Sequence, residues 1–331
     1  MKKLLAILSF TVCLLPAWAQ DIHFSQFYNS PLTLNPALTG NIDGKFRVGA
    51  IYRNQWKSVG SPFKTISASF DLGIHRLKKG DVFGVGLMAF HDKTGTVGLS
   101  NINIVASAAY HKPLGVNKSH VLSMGVQVGF TQRRIDMSEA IFADQVDNTL
   151  TNIGGSGDAA NLGTSNHEEL NIGLGYSAKF GKRSNLYIGG SMFHVSQPKE
   201  SVLGSGERLP SRYVGHASMD IGIGKMVSIL PSFIYMNQAG NNEINVGSGI
   251  RVAFKEDIRA TIGAYYRLQD AVIPMVGFEV KGLNMAFSYD VNTSSLNNVS
   301  NSQGGYEISV FYVMPFKKTP FVPSVIYNPR F

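Results

Sequence analysis

The sequence predicts an all-β fold, a transmembrane antiparallel up-and-down β-barrel of about 14 strands. Three observations carry that expectation. Apolar residues recur at every second position along most of the chain, the connections between these runs alternate between short and long, and beyond the N-terminus no apolar stretch approaches the length of a membrane helix. Glycine is abundant, at 35 residues, and aromatics reach 11%, a composition that suits many strands and turns.

The first element is a leader. Lys2 and Lys3 precede an apolar run from Leu4 to Leu15, and Ala17-Trp18-Ala19 supplies a small-x-small cleavage site, so residues 1–19 read as a signal peptide. The run is too short for a membrane anchor, which needs about 18 to 20 residues. Cys13, the only cysteine, follows Phe10-Thr11-Val12, which does not resemble a lipoprotein signal. Processing would therefore leave no thiol, which excludes disulfides, thiolate metal sites and cysteine nucleophiles. Without the leader, 312 of the 331 residues remain and the formal charge falls from +8 to +6. That surplus forms no dense basic stripe, so nucleic acid is not an expected partner.

The strands follow from the period of two. Leu170, Ile172, Leu174, Tyr176, Ala178 and Phe180 interleave with Asn171, Gly173, Gly175, Ser177 and Lys179, giving one lipid-facing and one inward-facing set. Similar runs cover 46–56, 63–72, 82–91, 101–111, 121–132 and 185–194. The remainder lie at 212–223, 227–236, 243–254, 257–267, 271–280, 283–292 and 306–316. Most have roughly the 9 to 11 residues that a tilted membrane strand needs. Pro231 and Pro274 fall inside two of the runs, where a closed barrel predicts bulges or strand ends.

Gly181-Lys182-Arg183-Ser184, Gly224-Lys225-Met226, Lys255-Glu256 and Lys281-Gly282 are short connections, whereas 133–169, 195–211 and 293–305 are long and polar. Long loops mark the cell exterior in such barrels. A soluble two-sheet sandwich is the competing fold, but it should carry many charges outward. Here the second face is mostly Gly, Ser, Asn and Thr with isolated Arg53, Asp71, Lys179, Asp220, Arg251, Arg259, Arg267, Glu279, Asp290 and Glu307, which suits a polar lumen. Tyr52, Tyr176, Phe180, Phe254, Tyr266, Phe278 and Tyr289 suit interfacial girdles.

Residues 20–45 are too polar and too interrupted by proline to be a membrane strand, yet they carry His23, Phe24, Gln26, Phe27 and Tyr28, then Asn35-Pro36-Ala37. The segment reads either as a plug that folds into the lumen from the periplasmic side or as a periplasmic arm that docks a partner. As a plug it would bring Ser25 against Gly175 or Ser177. The barrel then occupies 46–316, and 317–331 form a periplasmic tail.

The stretch from Gln20 to Tyr28 and the stretch from Pro31 to Gly40 resemble the opening of the PorP/SprF family of Bacteroidetes outer-membrane proteins. Further similarities are Arg53-Asn54-Gln55-Trp56, Phe142-Ala143-Asp144-Gln145, Arg267 with Asp270-Ala271 and Pro274, Tyr289-Asp290-Val291-Asn292, and Gly304 to Ser309 with Glu307. The resemblance implies a place in the type IX secretion and gliding machinery, supporting secretion or surface retention of an adhesin that bears a C-terminal sorting domain. Periplasmic components of that machinery are implied partners, beside outer-membrane lipid. The chain ends Asn328-Pro329-Arg330-Phe331 where many members would have a Cys-Pro pair, so any role of that cysteine is absent.

No catalytic motif is found: the eight histidines form no His-x-x-x-His pair and there is no Gly-x-Ser-x-Gly elbow. The Gly-x-Gly pairs lie within strands and open no helix, which excludes a nucleotide loop, and no cofactor is implied. Asp144 and Asp147, with Asp136 and Asp158, have no defined ligand spacing and read as a solvated loop. Asn35-Pro36-Ala37 is also similar to the plug tripeptide of FadL-type fatty-acid channels, which keeps open a second class, a diffusion channel for hydrophobic small molecules. The topology is testable with single cysteines. An impermeant maleimide added to intact cells should label Ser156→Cys in the longest loop and leave Ser184→Cys unlabelled; the opposite result would invert the barrel.

Overall fold

The computed structural model describes residues 21–316 apart from 59, 76, 78–79, 95–97, 116, 136–162, 182, 201–205 and 295–299. The expected signal peptide, the acidic positions of the longest loop and the expected C-terminal tail therefore lie outside the described residues.

The first seven strands are β1 (Phe46–Gln55), β2 (Phe63–Ile74), β3 (Val82–Thr94), β4 (Leu99–Leu114), β5 (His120–Ile135), β6 (Thr164–Phe180) and β7 (Ser184–Phe193). A small hairpin, β8 (Lys199–Glu200) and β9 (Glu207–Arg208), forms a separate two-stranded sheet outside the ladder of the wall. The wall resumes with β10 (Arg212–Ile223), β11 (Val227–Gln238), β12 (Asn241–Lys255), β13 (Ile258–Arg267), β14 (Ala271–Val280), β15 (Leu283–Asn292) and β16 (Gln303–Val313). Each wall strand pairs with its sequence neighbour in the wall, and β16 returns to β1, where Arg47 faces Val313 and Gln55 faces Gly305. The result is a closed antiparallel barrel of 14 strands with no free edge. Among the described residues no helix is long and apolar enough to cross a membrane.

Burial follows the period of two. Leu87, Ile104, Met124, Leu174, Phe254 and Ile262 are each more than half exposed, and the alternate positions turn inward. A continuous apolar belt of this size is the surface that a barrel presents to hydrocarbon. Arg53, Asp71, Asp220, Arg267, Glu279, Asp290 and Glu307 point inward and are buried, as the alternation requires. Ala178 departs from its lipid-facing expectation: it keeps the outward phase but is fully buried, opposite His120, whose ring stacks on Tyr176.

Three details differ from the sequence expectation. Pro231 and Pro274 sit at neither bulge nor strand end. Pro231 pairs with Ser248 on one side, while on the other the β10–β11 ladder omits the rungs at 230 and 231 and resumes in the same register. Pro274 does the same, pairing with Ala264 while the β14–β15 ladder skips it. A missing N–H is tolerated by dropping a rung, and the register shifts fall elsewhere, at Ala253/Lys255 and Asp290/Val291. The second difference is length: β5 and β6 extend to Ile135 and back to Thr164, into the stretch expected as loop. Thr164, Asn166 and Glu168 are exposed there, so backbone pairing continues past the point where the outward face stops being apolar. Third, the long-loop rim also holds tight connections, at Ala239-Gly240 and Leu268 to Asp270.

Outward residues here are solvated by lipid and leave no cavity when trimmed. Leu174→Ala should therefore change stability little, whereas Leu174→Arg should cost roughly 2 to 4 kcal/mol in reversible unfolding from lipid vesicles.

Candidate functional site

A barrel of this circumference has more interior than its own inward side chains fill, and residues 21–44 occupy it. Proline and the lack of alternation break the segment into short turns: a 3-10 turn at Phe27–Asn29, one helical turn α1 (Pro31–Leu34) and a second 3-10 turn at Pro36–Leu38. Proline stands at the start of the latter two, where its missing N–H is no loss. Phe24, Phe27, Tyr28, Leu32, Leu34, Ala37, Leu38 and Ile42 are all buried. Phe27, Tyr28, Leu34 and Leu38 pack with inward-facing Tyr187, Leu230, Ile234, Tyr265, Ile273 and Met275. The lumen, expected from sequence to be mostly polar, thus also carries apolar wall residues, and these meet the segment and not water.

The segment runs the length of the lumen and is held at three levels. At the short-turn rim Arg47 grips Asp71 through two bonds of 2.9 and 2.8 Å, and Asp71 accepts the Gly40 N–H at 2.7 Å. His111 lies 2.8 Å from the Thr39 carbonyl. At the waist the Asn35 side chain donates to the Leu174 and Gly190 carbonyls at 2.9 and 3.2 Å and accepts from the Ala37 N–H at 2.8 Å. The wall can come this close because it lacks side chains: a Cβ on Gly173 would lie 2.0 Å from Asn35 Oδ1, and one on Gly125 would lie 2.3 Å from Pro36. Ser25 is far from Gly175 and Ser177, its expected neighbours, and meets Asp290 and Glu307 instead.

The third level, near the long-loop rim, gathers most of the sequence candidates. Glu307 accepts the backbone N–H groups of Ser25 and Gln26 at 2.6 and 2.8 Å, and Ser25 Oγ donates to both oxygens of Asp290 at 2.8 and 2.9 Å. Gln26 Nε2 donates to Ser288 at 2.9 Å. Arg53 bridges Asp290 and Glu307 at 3.4 and 3.3 Å and also donates to the His23 carbonyl. Arg267 pairs with Asp290, and with Asp270 at 2.7 Å. His23 Nε2 stands 3.1 Å from Glu243. Burial, with Arg53, Arg267 and Arg212 nearby, holds His23 well below its usual pKa, so it meets Glu243 as a neutral ring.

Asp21 ends the described segment beside Arg133, Arg212 and His194, at 3.5, 3.8 and 2.5 Å. Burial alone would raise its carboxyl, but His194, Arg212 and Arg133 reverse that and hold it well below the usual carboxylate range. Burial likewise pushes His194 down, and Asp21 and Glu169 override it, raising the imidazole to about 9. Among the sequence candidates, Asn292 lies apart from this network and braces the rim by bonding Ser300 at 3.1 Å. Gln55 and Trp56, whose ring meets Phe63 at 4.7 Å, line an open vestibule of about 350 Å3 at the long-loop mouth. Asp21, Ile22 and His23 also line it. Voids left beside the segment near Asp21 measure only about 30 and 20 Å3.

Sequence reasoning missed Arg133, His167, Glu169, His194, Arg212 and Glu243. The only signal for any of them was His167-x-Glu169, whose spacing puts both side chains on one face of a strand. A buried charge left without its partner is expensive, so Arg53→Met should cost about 3 to 5 kcal/mol and expose residues 21–40 to protease. The double variant Arg53→Met/Glu307→Gln should recover part of that loss. Unfolding in vesicles and limited proteolysis would check both.

Among solved structures the chain is similar to the Pseudomonas putida toluene transporter TodX (11% identity, 86% of this chain and 93% of that one, TM-score 0.50). It is similar also to the Ralstonia pickettii toluene transporter TbuX (11%, 87% and 94%, 0.50) and to the CymD monoaromatic hydrocarbon channel (11%, 88% and 94%, 0.51). At such identity these likenesses speak for the fold alone. No curated protein matches the sequence. A family model does, over residues 17–312, which include the luminal segment and all of the barrel wall but Val313: the chain belongs to the PorP/SprF family of type IX secretion system membrane proteins.

Proposed function

We propose that this outer-membrane barrel supports a surface adhesin by holding it at the long-loop mouth, and that it does not serve as the open conduit through which the adhesin passes. The observation that carries the reading is the filled lumen. Residues 21–44 run from rim to rim and are tied by buried ion pairs and backbone hydrogen bonds at both ends, so opening a protein-sized pore would strand several charges at once. The vestibule above, with Trp56 and Phe63 on its wall and Asp21 and His23 also lining it, offers an aromatic and polar recess for a terminal segment of the adhesin. The adhesin would carry a C-terminal sorting domain, and periplasmic components of the secretion machinery would meet the short-turn rim. No step of this reading requires catalysis.

The alternative, a diffusion channel for hydrophobic small molecules, has one observation in its favour. An apolar groove of about 570 Å3 opens on the lipid face over Gly125, Gly173 and Leu174, directly behind the Asn35-Pro36 turn. Deletion separates the two. Under the adhesin reading the surface loses one or more large adhesins, which are found trapped in the periplasm or released to the medium. Unchanged surface adhesins together with lost uptake of a small hydrophobic compound would overturn it in favour of the channel.

A further inference from the structure

His167 and Glu169 stand two residues apart on β6 and therefore turn into the lumen together. His194 follows the last residue of β7, the neighbouring strand, and is fixed beside them by its N–H to Asn171 Oδ1 at 3.0 Å and by the Val195 N–H to the Leu170 carbonyl at 2.9 Å. Its backbone is left-handed, with φ of 55°, a conformation uncommon in non-glycine residues.

One nitrogen of each imidazole and one carboxylate oxygen lie within 4.8 Å of one another. Glu169 Oε1 is 3.1 Å from His167 Nε2, and Oε2 is 2.8 Å from His194 Nδ1. The three side chains are 2%, 2% and 9% exposed. Glu169 Oε2 and His194 Nδ1 face each other without forming a well-aligned hydrogen bond, and both count as unsatisfied buried atoms. Among the described residues no lysine or arginine pairs with Glu169. Arg133 and Arg212 instead face Asp21, and Arg133 takes Glu200 at 2.8 Å.

We infer that His167, Glu169 and His194 bind one divalent transition-metal ion of the zinc type, with Asp21 as the carboxylate that orients His194 from behind. Two imidazoles and a carboxylate are a donor set that zinc favours; ligands on one tetrahedral zinc lie about 3.3 Å apart, so the two nitrogens, which with a Glu169 oxygen lie within 4.8 Å of one another, need only a small approach to close on an ion. Asp21 Oδ2 at 2.5 Å from His194 Nε2 supplies the carboxylate–histidine arrangement that commonly backs a metal-bound imidazole. Thr131 Oγ1 donates to Glu169 Oε1 at 2.7 Å and steadies the other ligand. The adjoining void of about 30 Å3 has room for a water in the fourth position. Through His194 and Asp21 the ion pins the start of the luminal segment to the wall.

The test uses the full barrel without a polyhistidine tag, stripped with chelator, equilibrated with Zn2+ and dialysed, with metal counted by elemental mass spectrometry. Heat-modifiable migration in gels shows which variants have folded. The site predicts about one zinc per folded barrel, lost in His167→Gln, whose side chain touches only Glu169 in this cluster, and lost in His194→Ala. Asp21→Asn should keep the site but weaken it by roughly 10- to 100-fold. His120→Ala, at the opposite rim, should bind as the parent does. A folded parent without zinc, or a folded His167→Gln barrel that keeps its zinc, would overturn the proposal.

Discussion

Closure is the constraint on which the rest depends. In hydrocarbon every backbone N–H and C=O must find a partner, and 14 strands can satisfy this only by joining β16 to β1. A ring that wide encloses space, and here the enclosed space is occupied by the chain's own beginning. Eight-stranded barrels fill with their side chains and much larger ones hold water. This barrel lies between those regimes and takes a third solution, an internal peptide whose larger apolar cluster lies against the β7–β14 side, with Leu32 packed on β3 and β4 and hydrogen bonds to the wall at several levels.

The placement of charge follows from the same enclosure. Arg47 with Asp71, and Arg53 and Arg267 with Asp290 and Glu307, are buried ion pairs, which contribute little net stability by themselves because desolvation offsets their attraction. Their leverage is specificity. Each carboxylate accepts a polar hydrogen of the segment as well as an arginine, at Gly40 in one case and at Ser25 and Gln26 in the others. A segment docked in any other position would leave those charges uncompensated.

The wall was legible because lipid imposes contrast: where one side of a strand meets hydrocarbon, alternation is sharp, and every expected strand is present. Contrast fades beyond the membrane, which is why 164–169 read as loop although the ladder continues through them. The candidate site was legible in pieces. His23, Gln26, Arg53, Asp290 and Glu307 came from motifs similar to a family and proved to be neighbours, but no periodicity could have joined residues more than 200 positions apart. Glu169, His194 and Arg212 carried no such mark, since an inward polar residue in a barrel looks the same whether it meets water or a buried carboxylate.

The barrel seam joins its first and last strands, and there Arg53 stands directly opposite Glu307. The carboxylate that accepts Ser25 and Gln26 is therefore also the one that must align across the final junction. Sliding that junction by one position would invert the faces of a strand, and sliding it by two would carry Arg53 away from Glu307. The segment's bonds reach both strands of the seam, at Arg53 on one and at Glu307 on the other. It thus acts as a gauge of closure: the first and last strands of the ring are both fitted to the opening residues of the barrel's own chain.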